Sequence, residues 1–302
     1  MKLLITGATG VIGKKIIERV IENSFEINFL TTRKSKLKSI KNAKGFFWNP
    51  NKKIIDLNCF NGVDSIIHLS GKNISTRWTK KHKKRIYESR VLTTKLLFNS
   101  IRELKSTHKI KSFICASAIG IYKSEDKKIH YEKNKIYPST FLERLVYDWE
   151  KSSFSFKKYG ISVVNLRIGL VFSSGGFLKI IKTFGNFGLI SSFGSGNQFQ
   201  SWIHIDDLVE IFLLSIKDKW DGIYNAVSPQ PINQNKMMEL ISKTLNRPYI
   251  MPNIPSFFLH FIFGEMSKIL VSSHRVSSEK VLQKGYVFKY VDIEKALKDI
   301  LN

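Results

Sequence analysis

Cysteine, acidic residues and long apolar runs are what this 302-residue chain has least of. Its two cysteines, Cys59 and Cys115, each lie in or beside an apolar stretch. That argues against a disulfide framework or a thiolate metal site and fits a reducing compartment. No run of about 20 apolar residues occurs, so no transmembrane helix is expected. The first apolar run starts at Lys2, which leaves no room for a secretory leader. The expectation is a soluble, cytoplasmic protein without membrane contact. The seven histidines are scattered, with no His-x-x-x-His spacing, so no metal is expected. Gly-x-Ser-x-Gly, the serine-hydrolase elbow, is also missing.

The shortage of acid leaves 49 basic residues against 24 acidic ones, a formal net charge of +25. Of the basic residues 39 are Lys and 10 are Arg, whereas phosphate and base recognition recruits the arginine fork. Lysine, isoleucine, asparagine and phenylalanine are all residues that AT-rich codons supply. Most of the excess therefore reads as solvated surface, and nucleic acid is not the expected partner. A small-molecule substrate is, and a homodimer is compatible with the sequence. The densest basic run, Lys80-Lys81-His82-Lys83-Lys84-Arg85, is the best candidate for a genuine anion patch.

What the chain does have is a core, with 43% apolar residues. Short continuous apolar runs at 2–7, 27–32, 45–48, 65–71, 112–118 and 162–172 alternate with helical stretches at 14–23, 80–103 and 140–159. Unbroken runs of this kind suit parallel strands covered on both faces. The pattern predicts an α/β fold, a Rossmann doubly wound parallel sheet with helices on both faces and a small C-terminal α/β substrate lobe. Texture changes after Gly175, so residues 1–172 are expected to form the nucleotide-binding part. Residues 173–302 should form the lobe, interleaved with that part rather than tethered to it.

Thr6-Gly7-Ala8-Thr9-Gly10-Val11-Ile12-Gly13 follows the first strand directly. A glycine turn there lets the backbone approach a pyrophosphate, and the next helix offers its N-terminal amides. The end of the second strand decides the nucleotide. NAD requires a carboxylate about 20 residues past the glycines to hold the ribose 2′-hydroxyl. This chain instead has Thr31-Thr32-Arg33-Lys34, a hydroxyl and cations suited to a 2′-phosphate. NADP(H) is the expected cofactor.

With these residues the chain resembles the extended short-chain dehydrogenase/reductases, the epimerase/dehydratase group, over nearly its whole length. The matching motifs are TGATGVIG, DSIIHLSG, ASAIGIY, LRIGLVF, WIHIDDLV and YNAV, in that order. More narrowly it is similar to the branch called epimerase family proteins, through RWTKKHKKRIYESRV, FLERLVYDWE and GSGNQFQSWIHIDDL. The resemblance implies cofactor contacts at Gly7, Thr9, Gly10, Val11, Ile12 and Gly13, and a 2′-phosphate site at Thr32 and Arg33. It further implies backbone contacts from Leu69 and Ser70, phosphate contacts from Arg90 and Arg85, and Leu170 beside the nicotinamide.

The same resemblance implies a Ser, Tyr and Lys acting together on the substrate's proton. Ser117 matches the Ser, but Phe141 stands at the Tyr position and Leu145 at the Lys position. Neither can carry a proton. Tyr122, five residues after Ser117, is the leading substitute, with Glu143, Arg144, His204 and Asp206 also near the expected cleft. His204 and Asp206 read more naturally as hydrogen-bonding residues that join the lobes. The function implied is an NADP(H)-dependent oxidoreductase or epimerase acting on a small polar, sugar- or nucleotide-like substrate. A non-catalytic NADP(H)-binding regulatory protein and an RNA-associated member remain as alternatives.

Overall fold

In the computed structural model, which describes residues 1–104 and 108–302, the apolar runs align side by side. The chain begins with β1 (Lys2–Thr6), turns into α1 (Val11–Glu22) and returns as β2 (Glu26–Thr31). β3 (Ala43–Asn49) and the short β4 (Ile54–Ile55) extend that edge. β5 (Ser65–His68) leads to α2 (Lys80–Tyr87) and then to α3 (Thr93–Leu104). Next come β6 (Ser112–Ala118), the short β7 (Ile129–His130), α4 (Phe141–Phe154) and β8 (Ser162–Ile168). Beyond it lie β9 (Leu170–Phe172), α5 (Gly176–Gly185), β10 (Phe199–Gln200), β11 (Trp202–His204), α6 (Ile205–Lys217) and β12 (Gly222–Ala226). The chain closes with β13 (Ile232–Asn233), α7 (Gln234–Thr244), α8 (Ser256–Phe263), α9 (Ser267–Val271), β14 (Arg275–Val276), α10 (Glu279–Gln283) and α11 (Ile293–Leu301).

The main sheet has eight strands in the order β12-β8-β6-β5-β1-β2-β3-β4. Every neighbouring pair is parallel except β3 with β4. Strand order reverses between β1 and β5, and ligands of open α/β sheets bind at such a switch point, beyond the carboxyl ends of the strands. Leu3, Leu4 and Ile5 are fully buried, as a strand covered on both faces requires. This is the Rossmann-type α/β architecture expected.

Two runs behave differently from their sequence reading. The stretch 162–172 divides at Gly169, because β9 leaves the main sheet and pairs with β11. A Cβ at Gly169 would lie 2.4 Å from the Ser201 carbonyl oxygen, so only glycine permits that departure. The helix expected over 80–103 is interrupted by a π turn at Glu88–Leu92. There Thr93 and Thr94 hydroxyls bond back to the carbonyls of Ser89 and Arg90, competing with the helix's own ladder.

The C-terminal segment is woven into this frame. β12 returns from it to the edge of the main sheet beside β8. A second core, with Phe172, Trp202, Met238, Ile241 and Leu297, packs under the C-terminal helices. Asp207 fastens the two parts by accepting hydrogen bonds from the Tyr286 hydroxyl and the Lys289 and Tyr290 amides.

Candidate functional site

The glycine turn builds a binding edge from backbone alone. Gly7 has φ of +71°, and a Cβ there would meet the Leu69 backbone at 2.8 Å. Gly13 packs so closely that a Cβ would sit 2.4 Å from the Gly7 carbonyl oxygen. These two glycines let the turn fold against β5 and set α1 on the sheet. Gly10 caps α1 without any side-chain acceptor for the first amides, while Thr9, Gly10 and Val11 are exposed. The first turn of α1 therefore presents free N–H groups and the positive end of its dipole to solvent.

Behind that edge lies a relay invisible in the sequence reading. Thr94 Oγ1 donates to the Arg90 carbonyl and so accepts from His68 Nε2 at 3.0 Å. His68 Nδ1 then accepts from Thr6 Oγ1 at 2.8 Å, which leaves that oxygen's lone pairs for the Leu69 and Ser70 amides. Burial lowers the His68 pKa to about 3, with the Arg90 charge acting in the same direction, so the ring stays neutral. The loop after β5 is thus held by groups that cannot titrate near neutrality.

At the end of β2, Thr32, Arg33 and Lys34 are all exposed, with no acid among residues 27–41. The turn is shaped by the Arg33 amide donating to Thr31 Oγ1 at 3.2 Å. An open helix N-terminus on one side and an unpaired guanidinium on the other fit a dinucleotide with an added phosphate. Leu170 is half-buried in β9, and Gly175 just beyond approaches Val11 of α1. Arg90 is placed more deeply than its sequence reading suggests. Its guanidinium lies against Gly71, stacks 5.2 Å from the Trp149 ring centre, and donates to the Lys72 carbonyl. Burial lowers its pKa to about 10. Arg85 is exposed on α2.

A cleft of about 890 Å³ opens between α2, α4 and the segment after α8. Phe141 and Leu145 both line it. The Phe141 ring meets Trp78 edge-on at 5.2 Å and lies 5.2 Å from Lys83 Nζ, so it serves as a packing surface. Glu143, the N3 residue of a capping box, accepts from the Ser139 and Thr140 amides. Burial opposes the charge, but those donors outweigh it and hold the carboxyl below its ordinary pKa. Arg144 donates to the Ser139 carbonyl at 2.6 Å.

Ser117 and Tyr122 are tied into a buried ionic network. Ser117 Oγ donates to Glu150 Oε1 at 2.6 Å, and Glu150 takes two further bonds of 2.8 Å from Arg167. Arg167 Nη1 donates to the Tyr122 hydroxyl, which in turn donates to Asn225 Oδ1. Burial pushes the Tyr122 pKa up to about 12 against the opposing charge of Arg167. On the cleft wall a different pair stands free of that network. Tyr87, at the end of α2, donates to Asp148 Oδ2 of α4 at 3.1 Å. Burial and the Asp148 carboxylate both raise the Tyr87 pKa. The two residues are 61 positions apart, which hides the pairing from any local spacing rule.

His204, Asp206 and Asp299 also come together. His204 Nδ1 accepts from the Asp206 amide, which puts the ring proton on Nε2, 3.2 Å from the Asp299 carboxylate. The approach brings α6 and α11 together, but Nε2 makes no well-formed hydrogen bond there.

A parallel sheet with a glycine turn into a helix at its switch point defines a dinucleotide-binding α/β protein. Residues 3–226 match the family model for NAD-dependent epimerases and dehydratases, and residues 254–300 match a domain of unknown function. The chain is 33% identical over 302 residues to an epimerase family protein of Staphylococcus saprophyticus, covering 99% of each. The fold is similar to that of the human epimerase family protein SDR39U1, solved with NADPH, with a TM-score of 0.85 at 23% identity over 99% of each chain. A nucleoside-diphosphate sugar epimerase from Corynebacterium glutamicum superposes with a TM-score of 0.78 at 26% identity, covering 98% of this chain and 57% of that one. The chain belongs to the NAD-dependent epimerase/dehydratase family.

Proposed function

We propose that this protein is an NADP(H)-dependent oxidoreductase or epimerase acting on a small polar, sugar- or nucleotide-like substrate. The observation carrying the cofactor choice is the exposed Thr32-Arg33 pair, without a carboxylate, beside the open N-terminus of α1. The NADPH in the human relative and the nucleoside-diphosphate sugar activity named for the bacterial one support the reading. When bound, NADP(H) supplies or accepts a hydride.

The chain's own residues divide the remaining work. The amides of α1 and the Thr6–His68 relay hold the pyrophosphate side, and Arg33 holds the 2′-phosphate. Ser117 donates its proton to Glu150 within a buried network and so offers lone pairs for orienting a substrate hydroxyl, whereas the Tyr87–Asp148 pair is only half-buried and its proton can be redirected. Tyr122, with its hydroxyl between Arg167 and Asn225, shapes the inner wall of the cleft. The proton is held at the Tyr87 hydroxyl, oriented by Asp148, next to the position where Leu145 replaces the family's Lys. Burial and the Asp148 carboxylate keep that phenol in its protonated form.

Phe141 and Leu145 favour a second reading, an NADP(H)-binding regulator without turnover. Presenting NADPH with nucleoside-diphosphate 4-ketosugars and smaller carbonyl compounds separates the two. Oxidation of NADPH is expected, with Tyr87→Phe lowering kcat about a hundredfold or more at unchanged NADPH affinity. Tyr122→Phe should change kcat far less. Tight NADPH binding with no oxidation by any carbonyl offered would establish the regulatory reading instead.

A further inference from the structure

Helix α8 carries an apolar face that nothing among the described residues covers. Phe257, Phe258, Phe261 and Ile262 are 77%, 48%, 76% and 42% exposed, whereas Leu259 alone is buried. At 100° per residue the four exposed positions fall within one arc of about 140°. The preceding loop adds Ile250 and Met251, also exposed. Single exposed apolar residues are ordinary, but a contiguous aromatic face marks an interaction site.

The basic run at the start of α2 is stitched to this helix. Arg77 Nη1 donates to the Phe261 carbonyl, and Arg77 packs against Gly264. Lys83 Nζ pairs at 2.5 Å with Glu265, two residues beyond the end of α8. Lys80, Lys81, Lys84 and Arg85 of the same run are exposed.

We infer that α8 with the 80–85 run forms a peripheral docking surface for an anionic lipid bilayer. Phenylalanine and isoleucine enter the acyl boundary, and the lysines meet the anionic headgroups. A second copy of the chain is a poorer occupant, because each copy carries a net charge of +25 and repels the other. Single-stranded nucleic acid would stack on the three phenylalanines, but Ile262, Ile250 and Met251, the other half of the exposed apolar positions, offer it nothing, whereas an acyl boundary accepts all six. The absence of a spanning segment, which led to the expectation of no membrane contact, does not bear on surface attachment. The docked face borders the cleft, since Lys83 of the run and its ion-pair partner Glu265 both line it.

Co-sedimentation with phosphatidylcholine vesicles, with and without phosphatidylglycerol, tests the assignment. Binding is expected only with phosphatidylglycerol, and it should weaken on going from low to physiological salt. Phe257→Ser with Phe261→Ser should weaken it about tenfold or more, and Lys80→Glu with Lys81→Glu should also weaken it. Both pairs are exposed, so an unchanged melting temperature verifies the fold. No binding to anionic vesicles, or binding untouched by the serine changes, overturns the proposal. So does a dimer in light scattering, or RNA retention on filters, that the serine changes abolish while vesicle binding is absent.

Discussion

Glu150→Ala is expected to destabilise the protein by about 3–5 kcal/mol, the usual cost of stranding a buried charge. Glu150 and Arg167 are 5% and 2% exposed, and the guanidinium has no other carboxylate within ion-pairing distance among the described residues. Burial alone would lower the Arg167 pKa, but the hydrogen bonds and charge of Glu150 raise it above the ordinary value. Removing that carboxylate leaves a cation between β6, β8 and α4 and releases the Ser117 hydroxyl at the same time. Against a typical total of about 5–15 kcal/mol the loss is large. Replacing both charges, with Glu150→Leu and Arg167→Leu, should recover much of it, because an apolar pair avoids desolvation altogether. Urea unfolding of the three variants measures this. A loss below about 1 kcal/mol for Glu150→Ala would mean that water reaches the network.

Acid should weaken the protein before most of its carboxylates titrate. Burial lowers the pKa of His68 to about 3 and that of His274 to about 4, with the neighbouring Arg90 and His130 charges adding to the effect. His130 and His204 are shifted the same way. The unfolded chain protonates its histidines near pH 6.5, whereas the folded chain resists. Their neutral burial therefore costs nothing above about pH 7.5. As the pH falls from about 6.5 toward 4, the unfolded state gains protons that the folded state refuses, and stability declines. Each histidine contributes up to about 1.4 kcal/mol per pH unit, so a fall of several kcal/mol by pH 4.5 is expected. Below that, carboxylates with lowered pKa such as Glu143 and Asp221 add their own loss. Unfolding free energies at pH 7.5, 6 and 4.5 check the sign, and a flat profile would show that the histidines are hydrated in the folded state.

The parts of the molecule readable in the sequence are those fixed by neighbours along the chain. The turn from β1 into α1 needs only three glycines and a buried strand, all within residues 2–13. The apolar runs gave the strands because burial on both faces of a parallel sheet demands continuity. What escaped was set by tertiary contact. Gly169 ends β8 because Ser201, 32 residues later, comes against it, and no local pattern announces that. The helix over 80–103 breaks at a π turn because threonine hydroxyls reach back to carbonyls, which periodicity does not register. Glu150, Arg167 and Asn225 meet from α4, β8 and β12, so the surroundings of Ser117 and Tyr122 could not be inferred from their spacing. Buried charges inside apolar motifs, as in YDWE and LRIG, were the one available signal.

The most direct test is a calorimetric titration of the protein with NADPH and with NADH, repeated on Arg33→Ala. A charge-assisted contact to the 2′-phosphate is worth about 1.5–3 kcal/mol, so NADPH should bind roughly ten- to a hundredfold more tightly than NADH. Arg33→Ala should erase most of that difference by weakening NADPH alone. Equal affinities for the two cofactors, or an Arg33→Ala variant that still prefers NADPH to the same degree, would contradict the account.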